Sequence, residues 1–145
     1  MATSAGDLIS KEDQMPAPLD ADSRFMILPI EGRARELDAK LLMALEALTT
    51  NFQVILTQKW IINVNFHKIP RGIFVFKTLN EIDANVMRVA GQIGHTVVSW
   101  DDEGPGQIIH EKYLKSIVDS AVDMSQRVFA WGPNQVVALS NKYPT

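Results

Sequence analysis

The stretch Trp60-Ile61-Ile62-Asn63-Val64-Asn65-Phe66-His67 supports two readings, and the choice between them decides the fold. Ile62, Val64 and Phe66 alternate as in a strand, whereas Ile62, Phe66 and Ile69 fall on one stripe of a helix. The flanking runs Phe52-Gln53-Val54-Ile55-Leu56-Thr57 and Gly72-Ile73-Phe74-Val75-Phe76 are rich in β-branched and aromatic residues and read as strands. Parallel strands need a crossover between them, so the stretch reads as a short helix.

Outward from it the same alternation continues. Phe25-Met26-Ile27-Leu28-Pro29-Ile30 is a first strand, and Leu37, Leu41, Leu45 and Leu48 space a helix over about 35–50, with Glu36 and Lys40 expected on its wet face. Ile82, Val86, Val89 and Ile93 mark another helix, closed at Gly94, where a left-handed cap is expected. His95 to Trp100 forms a fourth strand, with Trp100 expected to be buried. Leu114, Ile117, Val118 and Ala121 make one further helix, Val128-Phe129-Ala130-Trp131 a fifth strand with Trp131 in the core, and a last helix starts after Pro133. Five β-α units of apolar strands imply a Rossmann-like open parallel sheet of about five strands with helices on both faces, an α/β/α sandwich.

Residues 1–23 mix small, charged and Pro residues without apolar periodicity and read as a flexible tail preceding one domain over 24–145. A chain of 145 residues is long enough for a core that buries about 70% of the unfolded surface. Fourteen Lys and Arg against 17 Asp and Glu carry no basic excess, which argues against nucleic-acid binding. No apolar run approaches the roughly 20 residues of a transmembrane helix, and the polar N-terminus lacks a signal peptide's pattern, so a cytoplasmic location is expected. The absence of cysteine excludes thiol catalysis and disulfides.

In an open parallel sheet, ligands gather beyond the carboxyl ends of the strands. There the sequence places Glu31, Arg33 and Arg35 after the first strand, Lys59 after the second and Lys77 after the third. Asp101, Asp102 and Glu103 follow the fourth, and Gly132, Asn134 and Gln135 follow the fifth. Three adjacent carboxylates repel and need nearby cations or donors, which Arg33, Arg35, Lys59 and Lys77 can supply. Successive residues of an extended segment point to different sides, so no metal site is expected from 101–103. His67, His95 and His110 lack metal-ligand spacing. No dinucleotide, P-loop or serine-hydrolase motif occurs.

Four blocks carry a resemblance: Arg35-Glu36-Leu37-Asp38-Ala39-Lys40-Leu41-Leu42, Pro70-Arg71-Gly72-Ile73, 94–104 (GHTVVSWDDEG) and Phe129-Ala130-Trp131-Gly132-Pro133-Asn134-Gln135. In this order and spacing, over about residues 25–144, they resemble the N-terminal part of the bacterial surface carbohydrate biosynthesis protein family. Pro105-Gly106 departs from the apolar residue expected there. The resemblance implies a glycosyltransferase of the GT-B type, with an N-terminal domain that handles the acceptor glycan and a C-terminal domain that binds a nucleotide-activated sugar.

On that basis the chain is expected to be an acceptor-side half, inactive alone, either a fragment or naturally short. It would bind no cofactor itself and work in the cytoplasm or peripherally at the inner face of the cytoplasmic membrane. Glu103, then Asp102, would act as general base or hydroxyl anchor. Arg33, Arg35 and Lys59 would meet acidic sugar or phosphate groups. The alternative is a stand-alone α/β module that binds a ligand or protein without catalysis.

Overall fold

A computed structural model describes residues 24–101 and 111–144. Five strands, β1 (Arg24–Ile30), β2 (Phe52–Gln58), β3 (Gly72–Phe76), β4 (Thr96–Trp100) and β5 (Arg127–Phe129), form one sheet in the order β2-β1-β3-β4-β5. Every pair is parallel. The crossover through α1 (Arg33–Thr49) runs toward β2, and those through α2 (Lys59–Asn65), α3 (Glu81–Gln92) and the pair α4 (Glu111–Ser116) and α5 (Asp119–Met124) run the other way. Right-handed crossovers therefore put α1 on one face and α2 to α5 on the other. The core divides accordingly. Phe25, Ile27, Phe74 and Val97 pack under α2 to α5, while Leu28, Val75 and Val98 pack under Ala44 and Met43 of α1. The expected Rossmann-like α/β sheet is present.

The stretch that decided the fold is helical. Ile62 is buried against the larger core with Phe66 and Ile69 beside it, whereas Val64, which a strand would have pointed inward with Ile62, is 64% exposed. A 3-10 turn over Phe66–Lys68 completes the crossover. Gly94 takes φ +93, the left-handed cap expected after α3.

Three expectations are corrected. First, α1 is rotated: Glu36, Lys40, Ala44 and Ala47 face the sheet, and the leucine stripe at 41, 45 and 48, together with Leu42, stands 42–62% exposed. The small Ala44 and Ala47 let the helix lie close to the sheet, and Glu36 and Lys40 are drawn inward by partners at the strand ends. Lys40 Nζ donates to the Pro29 carbonyl, and pairing of β1 with β3 ends at Ile27, short of the proline, which has no N–H to donate. Second, the single helix expected around 114–121 is two. Val118 leaves the helical region at φ -95, ψ 127, and its amide donates to the Leu79 carbonyl, a tertiary bond that a continuous helix would forbid. Third, Trp100 and Trp131 are not core residues.

Trp100 and Trp131 lie open because of where the last helix goes. α6 (Pro133–Lys142) docks beside α4: Leu139 joins the core under α2 to α5, and Lys142 Nζ donates to the Leu114 and Ile117 carbonyls at 2.7 and 3.3 Å. Among the described residues, α1 is then the only helix packed on its face. Trp100, Phe129 and Trp131 are left exposed at the β4–β5 side. No helix among the described residues is long and apolar enough to cross a membrane.

The rotation of α1 is directly testable. Leu45→Asp is expected to change the unfolding free energy by no more than about 0.5 kcal/mol, as at other exposed sites, whereas Ala44→Asp puts an unpaired carboxylate against Leu28 and Val75 and costs several times that. Urea unfolding of both variants checks the ratio; a Leu45→Asp loss equal to that of Ala44→Asp would mean that the leucines face inward.

Candidate functional site

The carboxyl ends of β1, β2 and β3 meet in a connected set of charges. Glu31 follows β1, Lys59 opens α2 directly after β2, and Lys77 follows β3. Lys59 bridges Glu31 and the buried Asp83 of α3. Lys77 bridges Glu31 at 2.7 Å and Glu36 at 3.5 Å. Asp83 also accepts from the Thr78 hydroxyl at 2.6 Å, while its own amide donates to the Asn80 side chain at 2.9 Å and so caps α3. Glu36 reaches back to accept from the amides of Glu31 and Gly32 at 2.9 and 3.0 Å, satisfying donors that the start of α1 leaves open.

These contacts set the protonation states. Burial alone would raise the pKa of Glu31, but hydrogen bonds and charge from Lys59 and Lys77 outweigh it and bring it down to about 2. Glu36 is likewise lowered, with burial opposed by the two amides and then by Lys77 and Lys40. Lys59 is raised, its burial outweighed by Asp83 and Glu31. All three stay charged at neutral pH.

The strand order reverses direction between β1 and β3, which is where open α/β sheets usually hold a ligand. Here the ion pairs fill that crevice. The void left among Pro29, Glu31, Lys59, Lys77 and Asp83 is about 10 Å³, at most the space of one water.

A larger open space lies beside it, on the α1 face. A groove of about 410 Å³ runs between α1 and the ends of β4 and β5. Arg35, Glu36, Lys40 and Met43 line one wall, Val75 and Lys77 the floor, and Trp100 and Trp131 the far wall. Its size falls within the usual range for small-ligand clefts.

Trp131 is 49% exposed yet held at both ends. Its indole Nε1 donates to the Asp101 carbonyl, and its amide donates to Gln135 Oε1 at 2.6 Å. Gln135 is fully buried in the first turn of α6; its Nε2 donates to Asp101 Oδ2 at 3.0 Å and to the Tyr113 hydroxyl, which itself donates to Asp101. Burial, reinforced by the Asp101 carboxylate, raises the Tyr113 pKa and keeps the phenol protonated. The exposed indole is thus held by one backbone carbonyl, while Gln135, itself bonded to Asp101 and Tyr113, holds the amide of the same residue. Such satisfied networks rigidify what they hold.

The sequence-derived candidates therefore separate. Glu31, Lys59 and Lys77 come together as expected, and Lys77 and Arg35 also line the groove. Asp101 and Gln135 are buried and bonded to each other behind Trp131, which makes them supports of the groove wall rather than its surface. Gly132 is the N-cap of α6, and Asn134, exposed, lies in its first turn. Arg33 is exposed at the start of α1. Asp102 and Glu103 lie outside the described residues. His95 is buried against Phe66 and Phe74 at the amino end of β4, far from the rim. Among the described residues, no group of three His, Cys, Asp or Glu could hold a metal ion.

Sequence reasoning missed Trp100, Trp131, Lys40 and Met43 as groove residues. The one available signal was the position of Trp131 immediately before Gly132-Pro133, at a strand end rather than within a strand. Neither a scan against models of protein families nor searches of curated proteins and of solved structures finds a match to this chain.

Proposed function

We propose that the groove binds a glycan and that the chain is the acceptor-side domain of a glycosyltransferase-like protein of surface polysaccharide biosynthesis. A second domain would bring the nucleotide-activated sugar. One observation carries the reading: Trp131, its indole held by the Asp101 carbonyl and its amide by the buried Gln135, lines with Trp100 a groove whose other wall carries charged side chains. A sugar ring has weakly polar C–H faces that rest on indole and a rim of hydroxyls that seek charged donors and acceptors. Trp, apolar in body and polar at one edge, suits such amphipathic ligands. Of the charged side chains in the described lining, the exposed Arg35 is the one open to a sugar hydroxyl. The order of the four sequence blocks supports the same assignment, and the work would take place in the cytoplasm or at the inner face of the cytoplasmic membrane.

A second reading draws on the leucine ridge of α1. Four exposed leucines on one helix face favour a module that docks a protein partner through that helix. The glycan reading stands ahead of it because a docking ridge does not explain why the half-exposed Trp131 is hydrogen-bonded at both its indole and its amide.

Titrating the purified chain with short oligosaccharides, followed by tryptophan fluorescence and calorimetry, tests the proposal. Binding is expected to quench or shift the emission of Trp100 or Trp131, and Trp131→Ala is expected to lower the affinity about tenfold, the loss of one stacking platform. Native-like melting of the variant confirms that the fold survives. No saccharide-dependent change in the native chain would end the reading.

A further inference from the structure

We infer that the glycan unit in the groove carries an anionic substituent and that Arg35 is the residue that reads it. This rests on the glycan reading above and narrows it to a class of sugar.

The cations of the groove are not equivalent. Lys77 lies between Glu31 and Glu36, and its side chain is largely buried. Lys40 is buried and donates to the Pro29 carbonyl, close enough to Glu36 to help hold its charge. Lys59, behind them, is taken by Glu31 and Asp83. Glu36, the one carboxylate among the described lining residues, is occupied by two backbone amides and by Lys77. Arg35 differs from all of these. Its side chain is 70% exposed, and its guanidinium reaches only the outer limit of an ion pair with Glu36, at 4.0 Å.

Arg35 also occupies a costly position. It sits in the first turn of α1, where the helix dipole disfavours a cation. Its side chain passes over Gly32, with Nε at ordinary contact distance, 3.5 Å, from where a Cβ would stand. Arg35 lines the groove together with Trp100 and Trp131. A planar fork of donors lining the same groove as two indole rings suits a carboxylate or phosphate borne on a stacked ring, the task at which arginine outperforms lysine.

The test measures a ratio of affinities on the intact chain. A glucuronate-containing disaccharide, a sugar phosphate and their neutral counterpart are titrated by calorimetry at physiological ionic strength. The anionic ligands are expected to bind about tenfold tighter than the neutral one, equivalent to 1.4 kcal/mol; whichever binds tighter, carboxylate or phosphate, identifies the substituent. Arg35→Gln is expected to bring the ratio to about one, and Arg35→Lys to retain part of it, since charge persists without the fork. Arg88→Gln removes an equal charge from α3, remote from the groove, and keeps the ratio. Equal affinities in the native chain, or an undiminished ratio in Arg35→Gln, would overturn the inference and leave the glycan reading standing. Absence of any saccharide binding would remove both.

Discussion

Asp83→Ala is expected to lower the free energy of unfolding by about 3 kcal/mol, the lower part of the range for breaking a buried ion pair from one side. The Asp83 side chain is 2% exposed and accepts from both Lys59 and the Thr78 hydroxyl. Removing it leaves the hydroxyl unsatisfied in a buried site and leaves Lys59 with Glu31 alone, a partner more than a third exposed and therefore weaker through solvent screening. The cap at Asn80 is not lost in itself, because it engages the backbone amide of residue 83 and not the carboxylate. Asp83→Asn, which keeps an acceptor for Thr78 but not the charge for Lys59, should fall between the two. Glu31→Gln should cost under about 1 kcal/mol, as an exposed ion pair does. Urea unfolding of the three variants gives the order directly. If Asp83→Ala cost no more than Glu31→Gln, the crevice between β1 and β3 would be wet and its ion pairs would not be what closes it.

That closure connects the network to function. With the crevice filled, ligand-sized space near the rim is displaced to the α1 face, and the same contacts hold Lys77 and Glu36 in the groove wall. How much of this was readable depends on which physical property each residue expresses. The helix at 59–65 followed from topology: a crossover had to exist, and Val64 then had to face out. The meeting of Glu31, Lys59 and Lys77 followed from the common direction of parallel strands. That these charges would satisfy one another instead of a ligand was not readable, since it depends on distances of a few ångströms between separate elements.

The rotation of α1 was hidden for a different reason. Periodicity marks an apolar stripe but does not say what the stripe faces, and the sheet-side positions are decided by the Glu36 and Lys40 contacts and by how closely Ala44 and Ala47 let the helix approach. Trp100 and Trp131 were misplaced because hydrophobicity favours burial, whereas their exposure follows from α6 docking beside α4. The break at Val118 carries no Gly or Pro; it exists because of one hydrogen bond to Leu79, a residue 39 positions away.

Gly72→Ala is expected to cost about 3 kcal/mol, the upper end of the usual range for overpacking, although alanine in place of glycine ordinarily stabilises a strand-compatible position by restricting the unfolded chain. The methyl group would lie 2.3 Å from the Phe25 carbonyl oxygen and 2.6 Å from Phe25 Cβ. Backbone and Cβ atoms cannot rotate away as the end of a flexible side chain would, so β1 and β3 must separate. They can ill tolerate it. The register joins them at only three positions, Phe25 with Gly72, Met26 with Ile73 and Ile27 with Phe74, and beyond Ile27 the ion pairs from Lys77 to Glu31 and Glu36 hold the two strand ends together. A shift at the first pair therefore reaches the rim and the groove floor, and Gly72→Ala should also weaken saccharide binding. Gly91 provides the contrast: on the outer side of α3 an added Cβ meets nothing within 4 Å, so Gly91→Ala should gain roughly 1 kcal/mol of helix propensity. Opposite signs for the same chemical change, measured by denaturant unfolding, would establish that β1 and β3 touch at residue 72; a gain at both positions would show that the two strands stand further apart than this register allows.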